Sequence, residues 1–123
     1  MMHKWLAPGG KVYVTFGPPW FSPWGAHVAF LCKLPWCHLF FSEKTVTYVR
    51  SFYRHDGAAS YRDMGVAKMS LAKFRRLVRA SNFSITYSRL DCCWGLHFLQ
   101  YTPLRELFIT QINSILTANQ PRM

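Results

Sequence analysis

The chain has 123 residues, half of them hydrophobic and 17% aromatic, with fifteen Lys and Arg against five acids and a formal net charge of +10. That length holds one domain at most, and the apolar fraction excludes an intrinsically disordered chain. The charge points to phosphates or an anionic membrane, yet the basic residues are spread from Arg50 to Arg89 without a single run or a nucleic-acid motif, which argues against nucleic acid as partner.

In chain order, residues 1–7 read as the last turn of a helix. Pro8 cannot continue it, because it lacks an N–H and clashes with the preceding turn. Gly9 and Gly10 let the chain reverse. Lys11 to Phe16 then alternate, with Val12, Val14 and Phe16 on one side and Tyr13 and Thr15 on the other. Both sets are β-branched or aromatic, which predicts a strand covered on both faces within an α/β unit. Residues 17–42 hold Pro18, Pro19, Pro23 and Pro35 together with Trp20, Trp24 and Trp36. A stiff aromatic loop directly after the end of a strand is where open α/β sheets place ligands; a loop packed on its own core has the same composition.

Ser42 and Glu43 suit a helix start, and residues 42–55 place Val46, Val49 and Tyr53 on one face. Asp56-Gly57 ends that helix. Residues 57–69 read as a loop with a short turn around Tyr61 to Met64. The clearest helix is 70–82: Ser70 caps it, Leu71, Phe74, Leu77 and Val78 form its apolar stripe, and Lys73, Arg75, Arg76 and Arg79 its wet face. Asn82 stands where a left-handed terminator belongs. Ser84 to Leu90 alternate as a strand. The tail supports both a helical stripe (Leu104, Leu107, Phe108, Ile112, Ile115, Leu116) and a strand.

Cys32-x4-Cys37-His38 looks like half a metal site, with Cys92-Cys93 as the other half, but the spacings are not those of a zinc ribbon or finger. Adjacent residues on a strand also point to opposite faces. We read four reduced thiols, and no metal. With no signal peptide at Met1 to Trp5, the expected location is cytoplasmic. The most apolar stretch, Trp24 to Phe41, is broken by Lys33 and Pro35 and falls short of the roughly 20 apolar residues of a spanning helix. It reads as a protein-buried or interfacial segment.

Three motifs are similar to one family. Leu6-Ala7-Pro8-Gly9-Gly10-Lys11-Val12 resembles the turn into the fifth strand of class I S-adenosylmethionine-dependent methyltransferases. Phe74-Arg75-Arg76-Leu77-Val78-Arg79-Ala80-Ser81-Asn82-Phe83 resembles the passage from that family's last large helix into its sixth strand, with Asn for the usual Gly. Phe16-Gly17-Pro18-Pro19-Trp20, Ser22-Pro23-Trp24-Gly25 and His27 resemble a subgroup pattern on the acceptor side. The resemblance implies an α/β chain with a partial Rossmann-like fold. Its three-stranded mixed sheet would follow the order five, seven, six with the seventh strand antiparallel, and carry one large amphipathic helix. Residues 1–123 would form a single partial domain, the C-terminal half, with 17–69 as a helical and loop insertion on the substrate side. The resemblance also settles the tail as a helical turn at 103–107 and a strand at 108–116.

The family holds S-adenosylmethionine mainly through its N-terminal half. No Gly-x-Gly-x-Gly occurs here, and none of Glu43, Asp56, Asp63, Asp91 and Glu106 ends a candidate second strand. The resemblance therefore implies no cofactor-binding residues in this chain, and an isolated chain without activity. On the acceptor side His27 is the candidate base, and Tyr13, Phe16, Trp20 and Trp24 are candidate walls for a small-molecule or lipid-like acceptor. A His27 that merely bonds a loop carbonyl is the competing reading, and His38, His55 and His97 are weaker candidates. Two other functions stay open. One is a non-catalytic interaction module pairing through the open edge of strand 11–16, with a complementing N-terminal half or with itself. The other is a peripheral membrane binder using Trp20 to Phe41 and the positive charge. No Gly-x-Ser-x-Gly, His-Glu-x-x-His or phosphate loop is present, which argues against hydrolases and nucleotide hydrolysis.

Overall fold

A computed structural model describes residues 2–119 of the chain. The Pro-Gly-Gly turn sets the direction of the first strand. The Gly10 N–H donates to the Ala7 carbonyl at 2.8 Å, and Gly9 sits at φ 76°, where only glycine is at ease. Ahead of the turn lies a single 3-10 turn, Met2–Trp5, in place of the expected α-helical end; Met1 lies outside the described residues.

Strand β1 is Lys11–Phe16, β2 is Phe83–Cys92 and β3 is Ile109–Ala118. They form one sheet in the order β1-β3-β2, with β3 antiparallel to both neighbours. The strand that comes last in sequence therefore lies in the middle, and β1 and β2 run the same way on either side of it. The chain is thus a small α/β structure on an open three-stranded sheet; the strand order is the one expected above, but both pairings are antiparallel, so the sheet is antiparallel and not mixed.

The inner face of the sheet is built by register. Val12 pairs with Leu116, Phe16 with Ile112, and Leu90 with Ile112 from the other side. Helix α3 (Leu71–Arg79) lays Leu71, Phe74 and Val78 over these residues and Ile109. Ser70 caps it, its Oγ accepting from the Lys73 N–H at 3.1 Å. Two details differ from expectation. Leu77 is exposed and outside the buried stripe. Asn82 is not left-handed, because the helix closes earlier: the Ser81 N–H and Oγ both donate to the Val78 carbonyl.

The expectation that β1 is covered on both faces also fails. Lys11, Tyr13 and Thr15 are exposed, Tyr13 by 75%. An antiparallel sheet can leave one face in water, and half of this face saturates itself. Thr15 Oγ1 donates to Asn113 Oδ1, Asn113 Nδ2 donates to Asp91 Oδ2, and Arg89 Nε donates to Asp91 Oδ1. The other part is a row of apolar side chains, Tyr13, Ile115 and Tyr87, set side by side by the register. Composition alone could not distinguish that row from a buried one.

The insertion between β1 and α3 carries its own core of Ala26, Val28, Cys37, Val46 and Tyr61, with Trp20, Leu31 and Met64 against it. Its helices are the single turn α1 (Cys37–Phe40) and α2 (Glu43–Ser51). Ser42 caps α2, as expected, accepting from the Thr45 N–H at 3.2 Å. Of the expected face only Val46 is buried; Val49 and Tyr53 are exposed, and Thr47 and Arg50 turn inward instead. Both polar side chains bond within the fold, although the buried Arg50 Nε has no partner among the described residues. Thr47 Oγ1 donates to the Glu43 carbonyl at 2.9 Å, and Arg50 grips Asp56 with two hydrogen bonds of 2.6 Å.

The last turn before β3 is α4 (Arg105–Phe108). Its Glu106 reaches the start of α3, and Trp36 Nε1 donates to the Phe21 and Leu107 carbonyls at 3.1 Å each. The Trp36–Leu107 bond ties the insertion to the turn that leads into β3, and Glu106 ties that turn to α3. No helix among the described residues is long and apolar enough to cross a membrane.

Candidate acceptor-side loop

The loop leaving β1 is positioned by close backbone approach. A Cβ on Gly17 would strike the Thr110 carbonyl, and one on Gly25 the Trp20 carbonyl. Glycine is required at both positions because the chain's own backbone occupies the space beside them.

Trp20 is the hub of the insertion. Its N–H donates to the Met69 carbonyl at 2.7 Å and its carbonyl accepts from His38 Nε2 at 2.6 Å. Its ring meets His38 and Tyr61 edge-on, with centroids 4.7 and 5.0 Å away, and Lys68 Nζ lies 5.1 Å from the ring centroids of both Trp20 and Tyr61. Such contacts contribute about 0.5–1.5 kcal/mol each. Burial holds His38 neutral by lowering its pKa below 6.5, partly offset by the Trp20 carbonyl. Burial also pushes the Tyr61 hydroxyl up to about 12. His38 Nδ1 and the Tyr61 hydroxyl have no hydrogen-bond partner among the described residues.

Trp24 belongs to a second aromatic group. It meets Trp94 at 5.8 Å, Trp94 meets Trp36 at 5.9 Å, and Trp36 meets Phe108 at 5.7 Å. This group bridges the loop to the ends of β2 and β3.

His27 is exposed and sits at φ 58°, its N–H donating to the Trp24 carbonyl at 2.9 Å. Left-handed backbone is uncommon outside glycine, though His tolerates it better than most residues. It places His27 on a cavity of about 400 Å³ shared with Phe30, Arg50, Arg54, Met64 and Val66. Arg50 is committed to Asp56, whose carboxyl it holds well below the ordinary carboxylate range. Arg54 lies 5.4 Å from the Phe30 ring centroid and forms no ion pair among the described residues. The cavity therefore offers one free guanidinium, an imidazole and an apolar wall, which suits a small molecule with an acidic or polar group.

The expected site residues do not converge on one pocket. His27 lies on the cavity just described. Trp20 and Trp24 pack in two different aromatic groups. Phe16 is part of the inner sheet face, 5.1 Å from the Phe74 ring. Tyr13 stands on the opposite, uncovered face. The residues that accompany His27, namely Phe30, Arg50 and Arg54, carried no sequence motif; only a helix-face count that put Arg50 inside would have found them. The thiols are all free, with Cys37, Cys92 and Cys93 buried and Cys32 half-buried. No group of three or more His, Cys, Asp or Glu comes together among the described residues. Comparison with protein-family models, with curated proteins and with solved structures returned no match.

Proposed function

We propose that this chain is the acceptor-side half of a class I S-adenosylmethionine-dependent methyltransferase domain, a partial Rossmann-like fold without activity of its own. The observation that carries this reading is the sheet: two strands running the same way with the final strand antiparallel between them, in the order β1-β3-β2. That order matches the fifth, seventh and sixth strands of the family, and the aromatic loop follows β1 as the acceptor loop follows the fifth strand. In this reading the acceptor is a small or lipid-like molecule, and His27, which lines the same cavity as Arg54, would take its proton. In this reading S-adenosylmethionine would be held mainly by the family's N-terminal half, since no Gly-x-Gly-x-Gly occurs in this sequence. Titration calorimetry of the chain with S-adenosylmethionine tests the reading: no saturable heat is expected, and saturable micromolar binding overturns it.

A second reading is favoured by β1 itself. Its outer edge has no strand partner among the described residues, and it borders the uncovered row of Tyr13, Ile115 and Tyr87. An open edge beside an apolar face is a template for pairing, with a complementing half-domain or with a second copy. Size-exclusion chromatography with light scattering decides for self-pairing: a clean monomer at high concentration removes it.

A further inference from the structure

Helix α2 leaves more apolar area outside than inside. It buries Val46, Thr47 and Arg50 and sends Tyr48 and Val49 outward, with Phe52 and Tyr53 following on the same exposed turn. Tyr48 and Phe52 are 65% and 63% exposed and touch each other edge-on at 5.1 Å. The segment packed beside α2 repeats the pattern, exposing Phe30, Leu34, Phe40 and Phe41, with Phe40 73% exposed. The two parts meet at an apolar hollow of about 270 Å³ lined by Leu31, Phe41, Val46 and Val49, while Tyr48 lines a second hollow with Lys44 and Ser51. Soluble monomers rarely leave such an apolar area uncovered.

Charge selects among the occupants this surface could take. Lys33, Lys44 and Arg54 are exposed within the same stretch. Its one acid, Glu43, is already engaged by the Tyr61 N–H at 2.6 Å and by Lys68 at 3.5 Å. The cores of protein interfaces are depleted of charged residues, and Lys is depleted across interfaces generally. Aromatics and Arg occur at both kinds of surface, so the discriminating residues are Lys33 and Lys44: aromatics set among exposed Lys are the composition of surfaces at the boundary of a bilayer, where rings enter the headgroup layer and cations meet lipid phosphates. The formal net charge of +10 adds a general attraction to anionic lipid.

We propose that residues 30–54 form a docking surface for an anionic lipid bilayer, with Phe40, Phe41, Tyr48 and Phe52 entering the interface and Lys33, Lys44 and Arg54 meeting the headgroups. The hollow behind Phe41 and Val49 gives a displaced acyl chain an apolar seat. This inference rests on the packing of the insertion and is independent of the methyltransferase reading.

Co-sedimentation of the full chain with vesicles tests it, using phosphatidylcholine alone and phosphatidylcholine mixed with phosphatidylserine. The chain should bind the mixed vesicles, bind phosphatidylcholine more weakly, and lose affinity as salt rises. Phe40→Ser with Phe52→Ser should lower partitioning at least about tenfold while the thermal melt stays in place. Lys33→Glu with Lys44→Glu should lower it by about tenfold on the mixed vesicles and leave binding to phosphatidylcholine alone unchanged. If the double aromatic variant unfolds, Phe52→Ser alone carries the test. The proposal is overturned if the chain stays in the supernatant with mixed vesicles at low salt, or if the folded aromatic variant sediments like the wild type. It is also overturned if that variant only converts a dimer to a monomer, which would make the surface a protein interface.

Discussion

The start of α3 is held by a carboxylate from a distant part of the chain, and removing that carboxylate is the sharpest test of the packing described here. Glu106 Oε1 accepts from the Ala72 N–H at 2.8 Å and Oε2 from the Leu71 N–H at 3.1 Å. The first turn of α3 has no acidic residue of its own, so Glu106 also supplies the negative charge that a helix start favours. In Glu106→Ala the Leu71 N–H, on a buried residue, loses its partner at a cost of about 1–2 kcal/mol. The Ala72 N–H is exposed, so water replaces the lost bond there at little cost. The missing charge at the helix start adds about 0.3–1 kcal/mol. The sum is about 2 kcal/mol, or roughly 6–10 °C in Tm for a chain of this size. Glu106→Gln keeps one acceptor oxygen and loses the charge, so it should cost about half as much. Urea and thermal melts followed by far-UV circular dichroism measure both. A loss below about 0.5 kcal/mol in Glu106→Ala, or an equal loss in both variants, would refute the assignment of this tie.

Two further predictions concern the buried polar groups around Trp20. Tyr61→Phe removes a hydroxyl that has no partner, so stability at about pH 8 should hold or rise by about 1 kcal/mol, against the usual direction for this change. The folded hydroxyl keeps its proton to about 12 and the unfolded one releases it near 10. Wild-type stability is therefore full below pH 10 and falls between 10 and about 12, a fall that urea midpoints should not find in Tyr61→Phe. His38 is held neutral in the folded chain, while the unfolded imidazole takes a proton below its ordinary pKa of 6.5. Its contribution is full above pH 6.5 and lost as pH falls through the lowered folded value. His38→Gln, which keeps a donor for the Trp20 carbonyl, should flatten the stability profile below about pH 6.5, and an unchanged slope would refute this.

Much of the fold was legible because local and global signals agree there. Ser70, Leu71, Phe74 and Val78 mark a helix by cap and spacing, and the structure uses all four as read. The Pro-Gly-Gly turn and the alternation after it locate β1 to the residue. The faces were harder to read. Tyr13 and Val12 have equal strand propensity, and only the register with Ile115 and Leu116 decides which is covered. On α2, apolar spacing pointed to Val46, Val49 and Tyr53, whereas Arg50 turns inward with its guanidinium paired to Asp56, a partner that apolar spacing does not register. The site was least legible. Loop composition singled out Trp20 and Trp24, and the family resemblance His27, but Arg54 and Phe30 join His27 only through the fold of the insertion. The 3-10 turns at Cys93–Gly95 and His97–Tyr101 carried no periodicity to read.

The position of β3 has a consequence for how the chain reaches this structure. Both ladders of the sheet run through residues 109–118, while β1 ends at Phe16 and β2 at Cys92. Among the described residues neither β1 nor β2 has a hydrogen-bonded strand neighbour until this strand arrives, so the sheet cannot grow outward from an early hairpin. Pairing Lys11 with Thr117 closes most of the chain into one loop, a high contact order that slows folding. The insertion, with a core made within residues 20–66, can collapse long before that. Synthesis from the ribosome would then present a preformed aromatic lobe joined to two strand edges waiting for their common partner, an interval in which a chaperone or another chain could pair with them first.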